Sequence, residues 1–399
     1  IYVNYTENIC AHSRNKITGC TKCLDACPAG AINSNGDHVQ IDLGICGGCG
    51  MCGAVCPSGA AQTSYPKIED TLQQIINLYK YFQNAGGKSP HLLLHDGKFG
   101  VEMISLLARH SNGLPSNLIP FEIHSLGRVG HDILIGIIAS GFEKVFILLD
   151  PSKSDESATI REQITLCNEL LDGVNVSSRD RVVLIEETEP AKTEGIIWKK
   201  DKLSGFKNKD FIPLGSPKSI VRTALKSLEQ VNKSKSNIIP LSHGSPYGKI
   251  KVDEENCTLC LSCVGACPAN ALQDNPDSPQ LLFREDACIQ CGICSKTCPE
   301  KVIELIPQFN LSDDAMSAKL ILEDEPFACK KCNKNFGTKK SIEKIISKLE
   351  EHTMFKSDNS TSMLELCENC RVEVMFDKKN EYLSMGQRPL PRTTDDYKK

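Results

Sequence analysis

The spacing of apolar positions between Pro66 and Val231 alternates between two periods. Ile68, Leu72, Ile75, Ile76 and Tyr79 recur at helical spacing and predict a helix over 66–82. A run of strand length follows at 91–95 and ends in an Asp96-Gly97 turn. Further helices are predicted over 101–109, 133–139, 160–171 and 216–231, and further strands over 118–123, 145–149 and 182–185. Strands alternating with helices point to a parallel α/β sheet. The stretch 232–248, rich in Ser, Lys, Pro and Gly, reads as a linker. Nearer the C-terminus, Thr338 is placed to cap a helix whose Ile342, Ile345, Ile346 and Leu349 form one stripe. The polar residues from Ser384 onward read as disordered. No membrane insertion is expected, because the most apolar region, 131–149, is interrupted by Asp132, Glu143 and Lys144.

Outside this alternation the chain carries an internal repeat. Four segments contain Cys-x3-Cys-Pro, at Cys23–Pro28, Cys52–Pro57, Cys263–Pro268 and Cys294–Pro299, arranged as two close pairs. The chain has 21 cysteines. Disulfides need only pairs, whereas these recur two and three residues apart, as they would if several thiolates converged on one metal centre. Metal-bound thiolates imply a reducing compartment, so a cytoplasmic location is expected.

The spacing C-x2-C-x2-C-x3-C-P is the bacterial ferredoxin run, in which three cysteines hold one cluster and the fourth reaches the other. On that rule Cys257, Cys260, Cys263 and Cys298 hold one [4Fe–4S] cluster, and Cys288, Cys291, Cys294 and Cys267 hold another. In the first pair of runs, Cys46, Cys49, Cys52 and Cys27 form a regular set. The remaining set has Cys20, Cys23 and Cys56, but Ile17 stands at its expected first position. Cys10 is the nearest substitute, returned by a loop over 11–19; the alternative is a three-iron cluster with Cys10 free. His12, in the same loop, reads as solvated.

Cys329-Lys-Lys-Cys332 and Cys367-Glu-Asn-Cys370 form two further C-x2-C knuckles. Two knuckles supply a tetrahedral thiolate site, for which zinc is favoured over a rubredoxin-like iron. Cys167, on a predicted helix, reads as a core thiol.

Charge sharpens the partner expectation. The formal net charge is −4; four oxidised clusters at about −2 each would add roughly −8. So acidic a protein is not expected to bind nucleic acid. Gly97, Gly100, Gly127 and Gly130 follow strand ends where a nucleotide could bind, but neither a G-x-G-x-x-G nor a P-loop motif is present, which favours plain turns. His124, Arg128 and His131 gather near the end of the second strand, where a capped helix start and a satisfied core histidine are favoured over docking or ligand contact. No nucleophile–base pair is evident, so no catalytic residue is assigned and a substrate site is not expected.

Several local signatures occur together: Cys10-Ala-His-Ser-Arg14 with Gly19-Cys-Thr-Lys-Cys23, Leu92-Leu-Leu-His-Asp-Gly97, Cys257-Thr-Leu-Cys260, Asn275-Pro276, Cys298-Pro-Glu-Lys-Val302, and Glu325-Pro-Phe-Ala-Cys-Lys-Lys-Cys332 with Phe336-Gly-Thr-Lys339. From Cys10 to about Val374 the chain resembles the large ferredoxin-like proteins encoded beside molybdenum-dependent formate dehydrogenases in proteobacteria. The resemblance implies that Cys10 replaces the missing ligand, that the redox partner is a formate dehydrogenase, and that the natural chain has a further N-terminal region. The middle domain is also loosely similar to the small iron–sulfur subunits of methanogen hydrogenase–heterodisulfide reductase complexes. Those carry cysteines where this chain has only Cys167.

The expected fold is multidomain, α+β and α/β. A first two-cluster ferredoxin domain (1–65) and a second (249–310) flank a parallel-sheet α/β domain (66–231) and the linker (232–248). A zinc-ribbon-like module with four cysteine ligands (311–383) and a tail (384–399) follow. The expected function is single-electron relay through four [4Fe–4S] clusters, with one zinc. Three rivals are an assembly or sulfur-handling factor, the iron–sulfur subunit of a molybdopterin oxidoreductase, and a reductase whose α/β domain holds its own substrate.

Overall fold

The computed structural model describes residues 2–200, 203, 206, 210–234, 236–350 and 361–376, so the expected tail over 384–399 lies outside the described residues. Two compact units are present: the first comprises Ile1–Val252, Ser262–Leu272 and Phe283–Lys319, and the second Asp253–Leu261, Gln273–Leu282 and Leu320–Lys399.

The first unit begins with β1 (Val3–Tyr5), which pairs antiparallel with β6 (Ala61–Thr63) and closes the N-terminal module on itself. Between them lie the hairpins β2 (Ser13–Arg14)/β3 (Ile17–Thr18) and β4 (Ile32–Asn35)/β5 (His38–Ile41). Two short helices, α1 (Lys22–Ala26) and α2 (Met51–Val55), each stop at a Cys-Pro pair. A proline pushes the residue before it out of the helical region. Accordingly Cys27 (ψ 106°) and Cys56 (ψ 109°) are extended, and each leaves the end of its helix on a new course.

The α/β region follows the predicted alternation: α3 (Ile68–Asn84), β7 (His91–His95), α4 (Phe99–His110), β8 (Leu118–Glu122), α5 (His131–Ala139), β9 (Lys144–Leu148), α6 (Ser154–Gly173), β10 (Val182–Ile185), α7 (Pro190–Ile197) and α8 (Pro217–Asn232). The four strands are parallel, in the order β10-β9-β7-β8. Side chains alternate between faces with the strand period of two. Leu92 and Leu94, with Val145 and Ile147, pack against α3, α5, α6 and α8. Leu93, with Phe146 and Leu148, packs against α4 and α7. Every residue of α5 is buried, which explains why its pattern is a continuous apolar run rather than a stripe. Ser216 caps α8 by accepting the Ser219 N–H (3.2 Å), and Pro217 occupies the first turn.

The expected linker is not wholly irregular. Ile238–Pro240 forms β11, which pairs with β15 (Ile303–Asn310) and buries Ile239. The opposite edge of β15 pairs with β12 (Gly248–Val252). Two short helices, α9 (Ser262–Ala266) and α10 (Ile293–Thr297), complete this unit.

β13 (Leu272–Asn275), β14 (Ser278–Phe283) and β16 (Lys319–Glu323), which apart from Leu272, Phe283 and Lys319 belong to the second unit, make a three-stranded sheet. The hairpin β17 (Pro326–Ala328)/β18 (Asn335–Thr338) leads into α11 (Lys339–Glu350), and α12 (Glu368–Phe376) follows later. Thr338 Oγ1 accepts the Ser341 N–H (3.3 Å), the predicted cap. No helix among the described residues is long and apolar enough to cross a membrane.

Candidate metal centres

The three regular cysteine runs share one backbone signature. The residues on either side of each middle cysteine have positive φ: Gly48 (72°) and Gly50 (79°), Leu259 (50°) and Leu261 (58°), Gln290 (55°) and Gly292 (77°). Alternating handedness turns successive N–H groups toward one side and makes a nest for an anion. At the two leucines and the glutamine this conformation costs of order 1–3 kcal/mol each, a strain that collects at functional sites.

The altered run is built differently. Gly19 and Thr21 are not left-handed, and Thr21 has φ −119°. Instead the β2/β3 hairpin turns at Asn15 (φ 51°) and Lys16 (φ 65°), the two left-handed positions of a tight hairpin turn. The ladder continues past the strands, with the Gly19 N–H donating to His12 O (2.7 Å) and the Cys20 N–H to Ala11 O (2.9 Å). Cys10 therefore lies beside Cys20 although the expected first position is filled by Ile17. His12 is buried, contrary to the solvated reading. Its ring nitrogens lie 3.0 Å from Cys20 O and 2.7 Å from Ser34 Oγ, where they pin the return of this hairpin.

The thiols of the first module fall into two groups. Burial pushes Cys23 up to about 12, with Cys56, Cys20 and Cys10 adding repulsion and Cys52, of the neighbouring group, adding the least; burial also raises Cys20, with Cys56 and Cys10 contributing. Burial likewise pushes Cys52 up to about 12, with Cys49, Cys46 and Cys27 contributing, and Cys49 is raised with Glu156, Cys27 and Cys46 contributing. Each group thus includes the last cysteine of the other run. Crowded, buried thiols stay protonated unless a cationic centre takes up their charge, so this environment fits an iron centre and disfavours free thiolates. The fourth cysteines also receive backbone donors: Ala31 N–H to Cys27 Sγ (3.4 Å), Ala61 N–H to Cys56 Sγ (3.4 Å) and Ala271 N–H to Cys267 Sγ (3.3 Å).

In the second pair of runs, Cys267, Cys288, Cys291 and Cys294 all line one small, mostly apolar cavity closed by Ile250 and Leu305. Burial, with mutual repulsion, pushes Cys291 up to about 11 and raises Cys294 and Cys288. Of the remaining set, Cys257 and Cys260 belong to the second compact unit and Cys263 and Cys298 to the first.

Within the second unit Cys329, Cys332, Cys367 and Cys370 place all four sulfurs within 4.8 Å of one another, and the Cys332 and Cys367 sulfurs are 3.6 Å apart. A tetrahedral ion with bonds of about 2.3 Å requires sulfur separations of about 3.8 Å, so the set could bind one metal ion. Burial pushes the Cys329 thiol up, but N–H groups of Cys367, Cys332 and Lys331 outweigh it and bring the thiol to about 6. Cys329, Cys367 and Cys370 themselves form the buried core here, with Phe336 and Leu366 against them.

The glycines that hinted at a nucleotide serve another purpose. In an open parallel sheet, ligands bind at the carboxyl ends of strands where the strand order reverses, here around β7 and β9. Beside that end of the sheet, the first cysteine module packs against the segment after β8 and the first turn of α6. A Cβ on Gly127 would lie 2.6 Å from Met51 Cγ, and one on Gly130 would lie 3.1 Å from Ala54 O. Met51 is fully buried, and Glu156 of α6 is close enough to raise Cys49. Cys167 is a core thiol, as expected. The sequence carried a cue to this seat in Gly127 and Gly130, both after β8, but not the identity of what fills it; Gly97 and Gly100, after β7, meet Glu122 and His95 instead.

Comparison with known proteins fits this arrangement. Residues 18–60 and 256–303 each match a 4Fe-4S dicluster domain. The polyferredoxin-like subunit of an aliphatic sulfonate oxidoreductase from Pyrococcus furiosus is 42% identical over 48 residues, 12% of this chain and 28% of that protein. Formate hydrogenlyase subunit 6 of Escherichia coli is 30% identical over 131 residues, 31% of this chain and 72% of that protein. An uncharacterized ferredoxin of Methanocaldococcus jannaschii is 31% identical over 117 residues, 26% of this chain and 65% of that protein. With two dicluster domains and a relative matched over most of its length, the chain belongs to the ferredoxin-like family of iron–sulfur proteins, and its chemistry is electron transfer.

Proposed function

We propose that this protein relays single electrons through four [4Fe–4S] clusters. Cys10, Cys20, Cys23 and Cys56 would hold the first, and Cys46, Cys49, Cys52 and Cys27 the second. Cys257, Cys260, Cys263 and Cys298 would hold the third, and Cys288, Cys291, Cys294 and Cys267 the fourth. The observation that carries this reading is the pair of dicluster-domain matches, at 18–60 and 256–303, each spanning two cysteine runs. When bound, the clusters would supply one-electron redox chemistry. The chain's own part is to hold the thiolates, to aim nest N–H groups at the anionic centres, and to exclude water by burial, which limits reorganisation on electron transfer.

The four-cysteine site in the second unit would hold one zinc in a ribbon-like module whose role is structural, with iron as the other candidate. The domain boundaries expected from the sequence and a cytoplasmic location belong to the same proposal. The α/β domain would seat the first ferredoxin domain rather than bind a substrate.

The partner would be an oxidoreductase, and we propose a formate dehydrogenase. The resemblance noted in the sequence supports this, as does a relative whose name places it in formate hydrogenlyase. The test is anaerobic purification with iron, sulfide and zinc counts and EPR on graded reduction. About sixteen irons, one zinc and reversible cubane signals are expected. Reduction by formate with the dehydrogenase tests the partner; clusters that remain oxidised there would overturn the formate assignment alone.

A further inference from the structure

We propose that the two ferredoxin modules form one electron path, and that the step between them crosses the contact of Gly19–Cys20 with Cys291–Lys296. The proposal rests on the cluster assignment above.

Lys296 Nζ donates to Thr18 O at 2.7 Å, tying α10 to the strand that leads into Cys20. Between these residues the two segments meet at Gly19. A Cβ there would lie 2.6 Å from Ile293 Cδ1 and 2.8 Å from Ala11 O, so only glycine permits the approach. Ile293 is fully buried. It lies between Cys291 and Cys294, and Gly19 adjoins Cys20, so the contact falls between ligands of two different candidate clusters.

A second brace keeps this spacing. Pro217, in the first turn of α8, is the neighbour a Cβ on Gly59 would meet at 3.5 Å, and the adjacent Lys218 Nζ donates to Cys288 O at 2.8 Å. The first helical turn of α8 thus touches both modules. The inter-module step is therefore assigned to the cluster of Cys10, Cys20, Cys23 and Cys56 and that of Cys267, Cys288, Cys291 and Cys294. One electron leaves one cluster, which is oxidised, and enters the other, which is reduced; no bond forms or breaks and no proton is required.

The test uses the full chain. Cys46→Ala with Cys49→Ala and Cys257→Ala with Cys260→Ala should remove one cluster from each module and leave about eight irons. After chemical reduction by two electrons, low-temperature EPR is expected to show two cubanes broadened by mutual dipolar coupling. Adding Gly19→Val, which collides with Ile293, should reduce this to two independent spectra at the same iron content. If the four-alanine variant takes up no iron, the comparison is made in the four-cluster protein, where Gly19→Val alone should remove part of the broadening. Independent spectra without Gly19→Val, or no change in the four-cluster protein on introducing it, would overturn the inter-module step while leaving the clusters assigned. Wild-type protein without iron would overturn the assignment and this proposal together.

Discussion

His131 Nε2 and the Tyr247 hydroxyl are 2.6 Å apart, which joins the first turn of α5 to the segment just before β12. The other ring nitrogen, Nδ1, lies 2.7 Å from Gln163 Oε1. A carbonyl oxygen only accepts, so Nδ1 donates to it and Nε2 accepts from Tyr247; the neutral ring is fully partnered.

This arrangement makes a pH prediction. Burial lowers the proton affinity of His131, Lys22 lowers it further, and Asp132 and Gln163 oppose them. The folded pKa lies below the unfolded value of about 6.5, so the unfolded chain binds the extra proton first and stability falls as pH drops below that value. The slope contributed is at most about 1.4 kcal/mol per pH unit. Asp132 is raised by burial and acts with the opposite sign, protonating first in the folded state as pH falls toward the carboxylate range. His131→Asn should be less stable at neutral pH yet flatter between about pH 7 and 5.5 in anaerobic thermal melts. Parallel curves for the two proteins would exclude this role.

Cys10 gives a sharp iron prediction. Cys10→Ala should convert the first cluster to a three-iron form, with an EPR signal in the oxidised protein, or lose about four irons. An unchanged iron count and spectrum would place the fourth ligand elsewhere. Ile17→Cys added to Cys10→Ala is expected to restore iron poorly, because the β2/β3 hairpin holds position 17 in a strand rather than in a nest.

The four-thiolate site of the second unit can be separated from the clusters. Cys329→Ser should lose one equivalent of zinc and leave the iron count unchanged. Residues 326–376 should then become more sensitive to limited proteolysis, since the thiols themselves make up that core. A rubredoxin-like spectrum in place of bound zinc would change the metal and leave the ligands as proposed.

The seat on the α/β sheet can be probed by overpacking. Gly127→Val should cost about 1–3 kcal/mol by colliding with Met51. Met51→Ala should relieve part of that loss, giving a coupling of about 0.5–3 kcal/mol in a double-mutant cycle. Additive effects would mean that the two residues do not meet.

The parallel sheet was legible because Leu92, Leu93 and Leu94 sit in a run buried on both faces and bounded by turns. The dicluster runs were legible because the Cys-x2-Cys-x2-Cys-x3-Cys-Pro spacing is local to the chain, and both matched stretches fall on it. The β2/β3 hairpin was hidden: four paired residues carry too little pattern, and Asn15-Lys16 is a weaker turn signal than Asn-Gly. Burial of His12 was hidden for a related reason, because its partners, Cys20 O and Ser34 Oγ, come together only in the fold. β11 was lost within a polar segment, where Ile238 and Ile239 are too short a run to announce a strand.

In the second unit, Thr338 Oγ1, Lys340 Nζ and Lys344 Nζ donate to the carbonyls of Thr258, Glu254 and Asn256. The C-terminal module is therefore not an appendage that can be trimmed at a tidy boundary. Shortening the chain before Thr338 would strip three donors from the loop that carries Cys257 and Cys260. A truncated protein with poor iron content would then report a missing clamp upstream of the cut rather than a redox role for the excised piece.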